Sequence, residues 1–158
     1  MLRTRPIENN DIVAVINLMN EQHGNEETPG YAHNEAAWIS NFMIMYHNPD
    51  ALVIGVFDTD DNQLFGFMTA DTFVSFYDNR LIADVKDCVT LGPKRGLIFN
   101  NLFEYFLEHY AGLGIMDWRF DSVKKDEVER TKLADFLEKR FGDRNDIEMF
   151  VSIRGTQV

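Results

Sequence analysis

The chain has 158 residues, 45% of them hydrophobic and 13% aromatic, which suits one domain with one core and excludes a disordered or fibrous chain. Its 15 Lys and Arg stand against 26 Asp and Glu, and the net charge of −11 repels phosphate backbones and anionic lipid. Cys88 is the only cysteine, so neither an intrachain disulfide nor a cysteine zinc cluster can form.

In chain order, "LRTRPI" is the first strand and "NNDIVAVINLMNEQHG" the first helix, capped by Asn or Asp, with Ile12, Val15, Ile16 and Met19 on one face before Gly24. Behind the two N-terminal arginines there is no apolar run of signal-peptide length, and no window approaches a membrane span. The expectation is a soluble, cytoplasmic protein. An acidic loop, "HGNEETPGYAH", leads to Asn34, which caps "EAAWISNFMIMYH"; Trp38, Phe42, Met45 and Tyr46 share a face, and Pro49 blocks continuation.

"ALVIGVFD", "QLFGFMTADTFVSF" and "RLIADVKDCVTL" are three strand-type runs joined by "TDDN" and "YDN", which predicts an antiparallel meander. "GPKRG" then turns into a helix from about Leu97, with Leu102, Tyr105, Phe106 and Tyr110 at helical spacing. "GIMDWRF" is a further strand, "KKDEVERTKLADFLEKRFG" a last helix and "IEMFVSIRG" a closing strand. Without repeats, low-complexity segments or linkers, residues 1–158 read as one domain.

The order β α α β β β α β α β points to an α/β protein with a mixed, mostly antiparallel central sheet and helices on both faces. With the chain length, the "V-x-x-x-P-K-R-G" at Val89–Gly96 and the "FLEKRFG" before the last strand, it resembles the GNAT family of acyl-CoA-dependent N-acetyltransferases. The element order covers nearly the whole chain, the motifs only about residues 84–142. The resemblance implies that acetyl-CoA is the co-substrate. Its pantetheine arm would lie along the fourth strand, "RLIADVKDCVTL", near Leu91, and its pyrophosphate would lie at Gly92, Pro93, Lys94, Arg95, Gly96, Leu97 and Ile98.

A helix N-terminus offers unused N–H donors and the positive end of the helix dipole, and glycines let phosphates approach the backbone. Lys94 and Arg95 add charge and donors. The family loop has the form Q/R-x-x-G-x-G/A, and here the sequence departs from it. Aligning Lys94 with the Q/R position puts Leu97 and Phe99 at the small positions; aligning Arg95 puts Ile98 and Asn100 there.

The chemistry needs a base for the attacking amine and an acid for the leaving thiolate. The resemblance implies a carboxylate on or near the "RLIADVKDCVTL" strand for the first, and Asp84 and Asp87 are the candidates. Three positions apart, they fall on opposite faces of an ideal strand, so only one faces a central cleft. Asp87 is favoured because it lies closer to where the thioester would sit. The family's acidic tyrosine is replaced by Leu137 or Phe136. Tyr105 and Tyr110 fit a core face.

Other signals lead away from chemistry. Asp58, Asp60 and Asn62 open like a calcium loop, but Gln63 and Thr69 stand where glycine and glutamate are needed, so the segment is a hairpin turn. His23, His33, His47 and His109 have no ligand spacing, and no metal is expected. Cys88, mid-strand, reads as a small buried hydrophobe. The functional expectation is transfer of acetyl from acetyl-CoA to a primary amine on a small molecule or protein, with no direct contact to nucleic acid or membrane and room for a homodimer. The acidic surface suits a cationic acceptor such as a lysine side chain or polyamine. The alternative expectation is a catalytically degenerate GNAT-like binding module, similar to proteins carried in tailed-phage virions.

Overall fold

The computed structural model of the protein describes residues 1–25 and 34–120. Within them, β1 (Leu2–Pro6), β2 (Leu52–Asp58), β3 (Leu64–Val74), β4 (Leu81–Thr90) and β5 (Asp117–Phe120) form one sheet in sequence order. The first three junctions are antiparallel; short turns join β2 to β3 and β3 to β4, whereas α1 (Ile12–Asn25) and α2 (Glu35–His47) lie between β1 and β2. β4 and β5 are parallel, so the chain between them must cross back, and α3 (Arg95–Gly112) makes that crossover. The expected helix at 124–142 and strand at 147–155 lie outside the described residues, as does most of the acidic loop at 26–33.

The helices divide the sheet into two faces. On one, α3 presents Ile98, Leu102, Phe103, Phe106 and Tyr110 to Ile54, Met68, Ala70, Ala83 and Val85. On the other, α1 (Ile12–Asn25) brings Val15 and Met19 and α2 (Glu35–His47) brings Phe42 to Phe57, Leu64, Phe67 and Val89. Both faces of the central strands are covered, which explains why β2 and β3 read as near-continuous apolar runs. The helix signals act as the sequence implies: the Asn34 side chain accepts a 3.0 Å hydrogen bond from the Ala37 N–H, and α2 stops at His47, before Pro49.

The starts of α3 and β5 differ from expectation. α3 starts at Arg95 rather than near Leu97, because Gly92 at φ 87° already turns the chain and the Arg95 N–H closes on the Gly92 carbonyl at 3.3 Å. β5 starts at Asp117 rather than Gly114. Gly114 adopts φ 78° and the Ile115 N–H returns to the Tyr110 carbonyl at 2.8 Å, so these residues finish the helix instead of starting the strand. Asp58, Asp60 and Asn62 form the hairpin turn, with the Asp60 N–H on Asp58 Oδ1 at 2.8 Å and Asn62 at φ 59°.

The pairing of β3 with β4 contains the irregularity that shapes the site. Thr69 lies opposite Asp87 and Ala70 opposite Val85, so Lys86 is one residue more than β3 can match, a β-bulge in β4. Past the bulge every side chain changes face relative to a regular strand.

Candidate active site

The expectation that Asp84 and Asp87 point to opposite faces is corrected by that bulge. Asp84 pairs with Asp71 and Asp87 with Thr69, two positions apart on the regular strand β3, so both aspartates lie on the α1/α2 face. Val85 and Cys88 take the α3 face. The ideal-strand argument fails because it counts Lys86 as a paired position.

Sharing a face does not give the two carboxylates the same surroundings. Asp84 is 2% exposed and is held by Arg119 of β5 through two hydrogen bonds, Nε to Oδ1 at 3.0 Å and Nη2 to Oδ2 at 3.1 Å. Lys86 Nζ adds a 2.6 Å bond to Oδ2. Such a buried, doubly neutralised carboxylate is spent on holding β4 to β5. Arg119 also lies over the Phe73 ring, 4.5 Å from its centroid.

Asp87 is half-buried and is bonded by neutral donors. Trp38 Nε1 of α2 donates to Oδ2 at 3.2 Å, and Thr69 Oγ1 donates to the same oxygen at 3.3 Å. The Asp87 backbone N–H donates back to Thr69 Oγ1 at 3.1 Å. Asp87 sits next to the bulge residue, past the last described β4–β5 pair at Val85 and Phe120. Of the two candidates it is the one whose contacts suit a base.

Asp71, which the sequence reading does not single out, is the third carboxylate on this face. It stands directly across from Asp84, and its buried Oδ1 accepts no hydrogen bond, with Lys86 Nζ at 3.8 Å. Burial pushes its carboxyl above the usual carboxylate range and the Asp84 charge adds to this, while Lys86 and Arg119 pull the other way. Trp38, Thr69, Lys86 and Arg119 also carry no site role in the sequence reading. Trp38 is legible only as a core-face residue, and the ion pairs depend on a register that the sequence does not display.

Cys88 lies on the α3 side, where burial, with the Asp87 charge added, pushes its thiol up to about 12. It stays a thiol. Among the described residues no group of His, Cys, Asp and Glu could hold a metal ion, and no helix is long and apolar enough to cross a membrane.

The loop after β4 is the second half of the site. Leu91 is half-buried beside the α1/α2 core, and Gly92, Pro93, Lys94, Arg95, Gly96 and Leu97 are exposed. No side chain caps α3, and no described hydrogen bond uses the N–H groups of Gly96 or Leu97. A Cβ at Gly96 would meet nothing within 4 Å. Two unused donors, open space at a glycine and two exposed cations fit a pyrophosphate. Ile98 differs from its neighbours: it is 2% exposed in the α3-side core, and its N–H is already donated to the Lys94 carbonyl at 3.0 Å.

No protein-family profile matches the sequence, and no curated protein sequence matches it. Solved structures do match the fold. An acetyltransferase of Trypanosoma brucei superposes with a TM-score of 0.64 at 18% identity, covering 91% of this chain and 93% of that one. A transcriptional regulator of Bacillus halodurans gives 0.67 at 12% identity, covering 92% and 94%. Glucosamine-6-phosphate N-acetyltransferase of Arabidopsis thaliana gives 0.61 at 13% identity, covering 92% and 93%. With the three-strand meander, the α3 crossover and the parallel β4–β5 pair, these likenesses show that the chain has the GNAT acetyltransferase fold.

Proposed function

We propose that the protein is an N-acetyltransferase that moves acetyl from acetyl-CoA to a primary amine. The observation that carries the reading is the join of β4 to α3. The strand bearing Asp87 runs directly into a helix start with two unused N–H donors, an open glycine and two exposed cations. A strand for the pantetheine arm and an anion site for the pyrophosphate then follow each other along one segment.

In this reading Lys94, Arg95 and the N–H groups of Gly96 and Leu97 hold the pyrophosphate, and Leu91 lines the arm. Bound acetyl-CoA supplies an activated acyl thioester. The amine enters on the α1/α2 face, where Asp87 takes a proton from its ammonium form. The freed lone pair forms the new C–N bond as the C–S bond breaks; the thiolate leaves, and the second amine proton passes to solvent. Asp84 keeps β4 and β5 together, and the charge of −11 favours a cationic acceptor.

The test is thermal stability with added acetyl-CoA, followed by thiol release with a panel of primary amines. A ligand that binds only the folded state stabilises it by RT ln(1 + [L]/Kd). The midpoint should rise, and thiol should appear only with an amine present. No rise at millimolar acetyl-CoA would overturn the reading.

A further inference from the structure

We infer that Trp38 is a positioning residue for Asp87: its indole N–H fixes the carboxylate on the acceptor face and holds down its affinity for a proton. The catalytic meaning of this role rests on the proposed acetyl transfer; the contact itself does not.

The geometry is specific. Asp87 Oδ2 receives Trp38 Nε1 at 3.2 Å and Thr69 Oγ1 at 3.3 Å, so donors from a helix and from the neighbouring strand converge on one oxygen. The indole is itself constrained. It stacks on Phe42 with centroids 5.2 Å apart at 22°, and meets Phe67 at 6.1 Å and 58°. Phe42 and Phe67 are both fully buried, so the N–H is aimed by the core rather than by a mobile side chain. A donor so placed stabilises the ionised carboxylate more than the neutral acid.

The charged groups described on this face are engaged elsewhere. On the same face stand Asp71 of β3, Asp84 of β4 and Arg119 of β5, with Lys86 at the bulge; Arg119 and Lys86 are bonded to Asp84. Cys88 lies on the opposite face as a thiol. On α2, Glu35 and His47 are exposed at the two ends and Tyr46 bonds Asn9; Glu21 of α1 is exposed. Trp38 is thus the covering helix's polar contact with Asp87 among the described hydrogen bonds.

Trp38→Phe removes the N–H and keeps a ring for both stacks. The reading is the carboxyl carbon titration of Asp87 by NMR, assigned by its disappearance in Asp87→Asn. The midpoint should move to higher pH in Trp38→Phe, and the acid limb of kcat/KM should move with it. An unchanged midpoint overturns the inference whatever happens to turnover. Benzothienylalanine at position 38, which has the indole's shape without its N–H, gives the same reading if phenylalanine does not let the chain fold. A wild-type protein without acetyl transfer would sink the proposed function, and the titration would still decide the role of Trp38.

Discussion

Ile98 of α3 packs so closely on Gly66 of β3 that a Cβ on the glycine would come 2.5 Å from Ile98 Cγ2 and 2.8 Å from the Val89 carbonyl oxygen. The first contact is a side-chain methyl in a filled core and the second is backbone, so neither can yield cheaply. Gly66→Ala should therefore destabilise the fold by about 1–3 kcal/mol, the usual cost of overpacking, as measured by urea unfolding. A stability equal to wild type would show that α3 can lift off the sheet.

The pyrophosphate reading distinguishes two cations. If Arg95 bonds the phosphates directly, Arg95→Ala should weaken acetyl-CoA binding by about 1.5–3 kcal/mol in calorimetry, the value of a charge-assisted hydrogen bond. Lys94→Ala should lose as much if Lys94 makes the contact, and the larger loss assigns the register. Gly96→Val leaves the charge unchanged and fills the open space beside the helix start, so it should weaken binding without lowering the melting temperature by much.

Arg119 balances a carboxylate that is almost wholly buried. Arg119→Met should cost toward the lower end of about 3–5 kcal/mol, because Lys86 remains on Asp84. The double change Arg119→Met with Asp84→Leu should recover much of that loss, since it removes the stranded charge along with its partner. Denaturant midpoints of the two variants give the comparison; equal midpoints would mean that the loss does not come from stranding the Asp84 charge.

Tyr110 is buried and its hydroxyl accepts or donates no hydrogen bond. Burial, with the charges of Asp71 and Asp84 behind it, pushes its pKa up to about 12 from about 10. The folded protein holds this proton more tightly than the unfolded chain. The associated stability is therefore complete below pH ~10 and lost as pH rises toward ~12. Tyr110→Phe should be neutral or slightly stabilising at pH ~7, and its advantage should grow across that alkaline window in thermal melts.

Some of these features are written locally in the sequence and others are not. Asn34, Pro49 and the apolar spacing of α3 act locally, through a cap, a missing N–H and a helical face, so their effects are visible in a short window. The same holds for "TDDN", where aspartate side chains make their own turn. The faces of Asp84 and Asp87 are set instead by how β4 meets β3, and nothing in "ADVKDCV" marks Lys86 as the unmatched residue. Ile98 shows the complementary failure: adjacency to a glycine-bearing loop suggests ligand contact, while the helix's rotation turns it onto Gly66. Trp38 is found as an apolar-face residue, but the donor on its ring edge becomes relevant only when α2 is laid across β4.

The extra residue in β4 also sets the parity of everything that follows it up to α3. Deleting Lys86 would leave Asp87 directly after Val85, still opposite Thr69 and on the α1/α2 face. Matching Lys86 to Thr69 in a regular ladder would instead rotate the rest of the strand half a turn, so that Asp87 and Val89 face α3 and Cys88 and Thr90 face α2. Drawing one residue into the ladder would thus exchange a carboxylate for an ammonium opposite Thr69. Strand length in this fold is read modulo two, and a residue left out of the ladder is what makes the carboxylate and the indole meet.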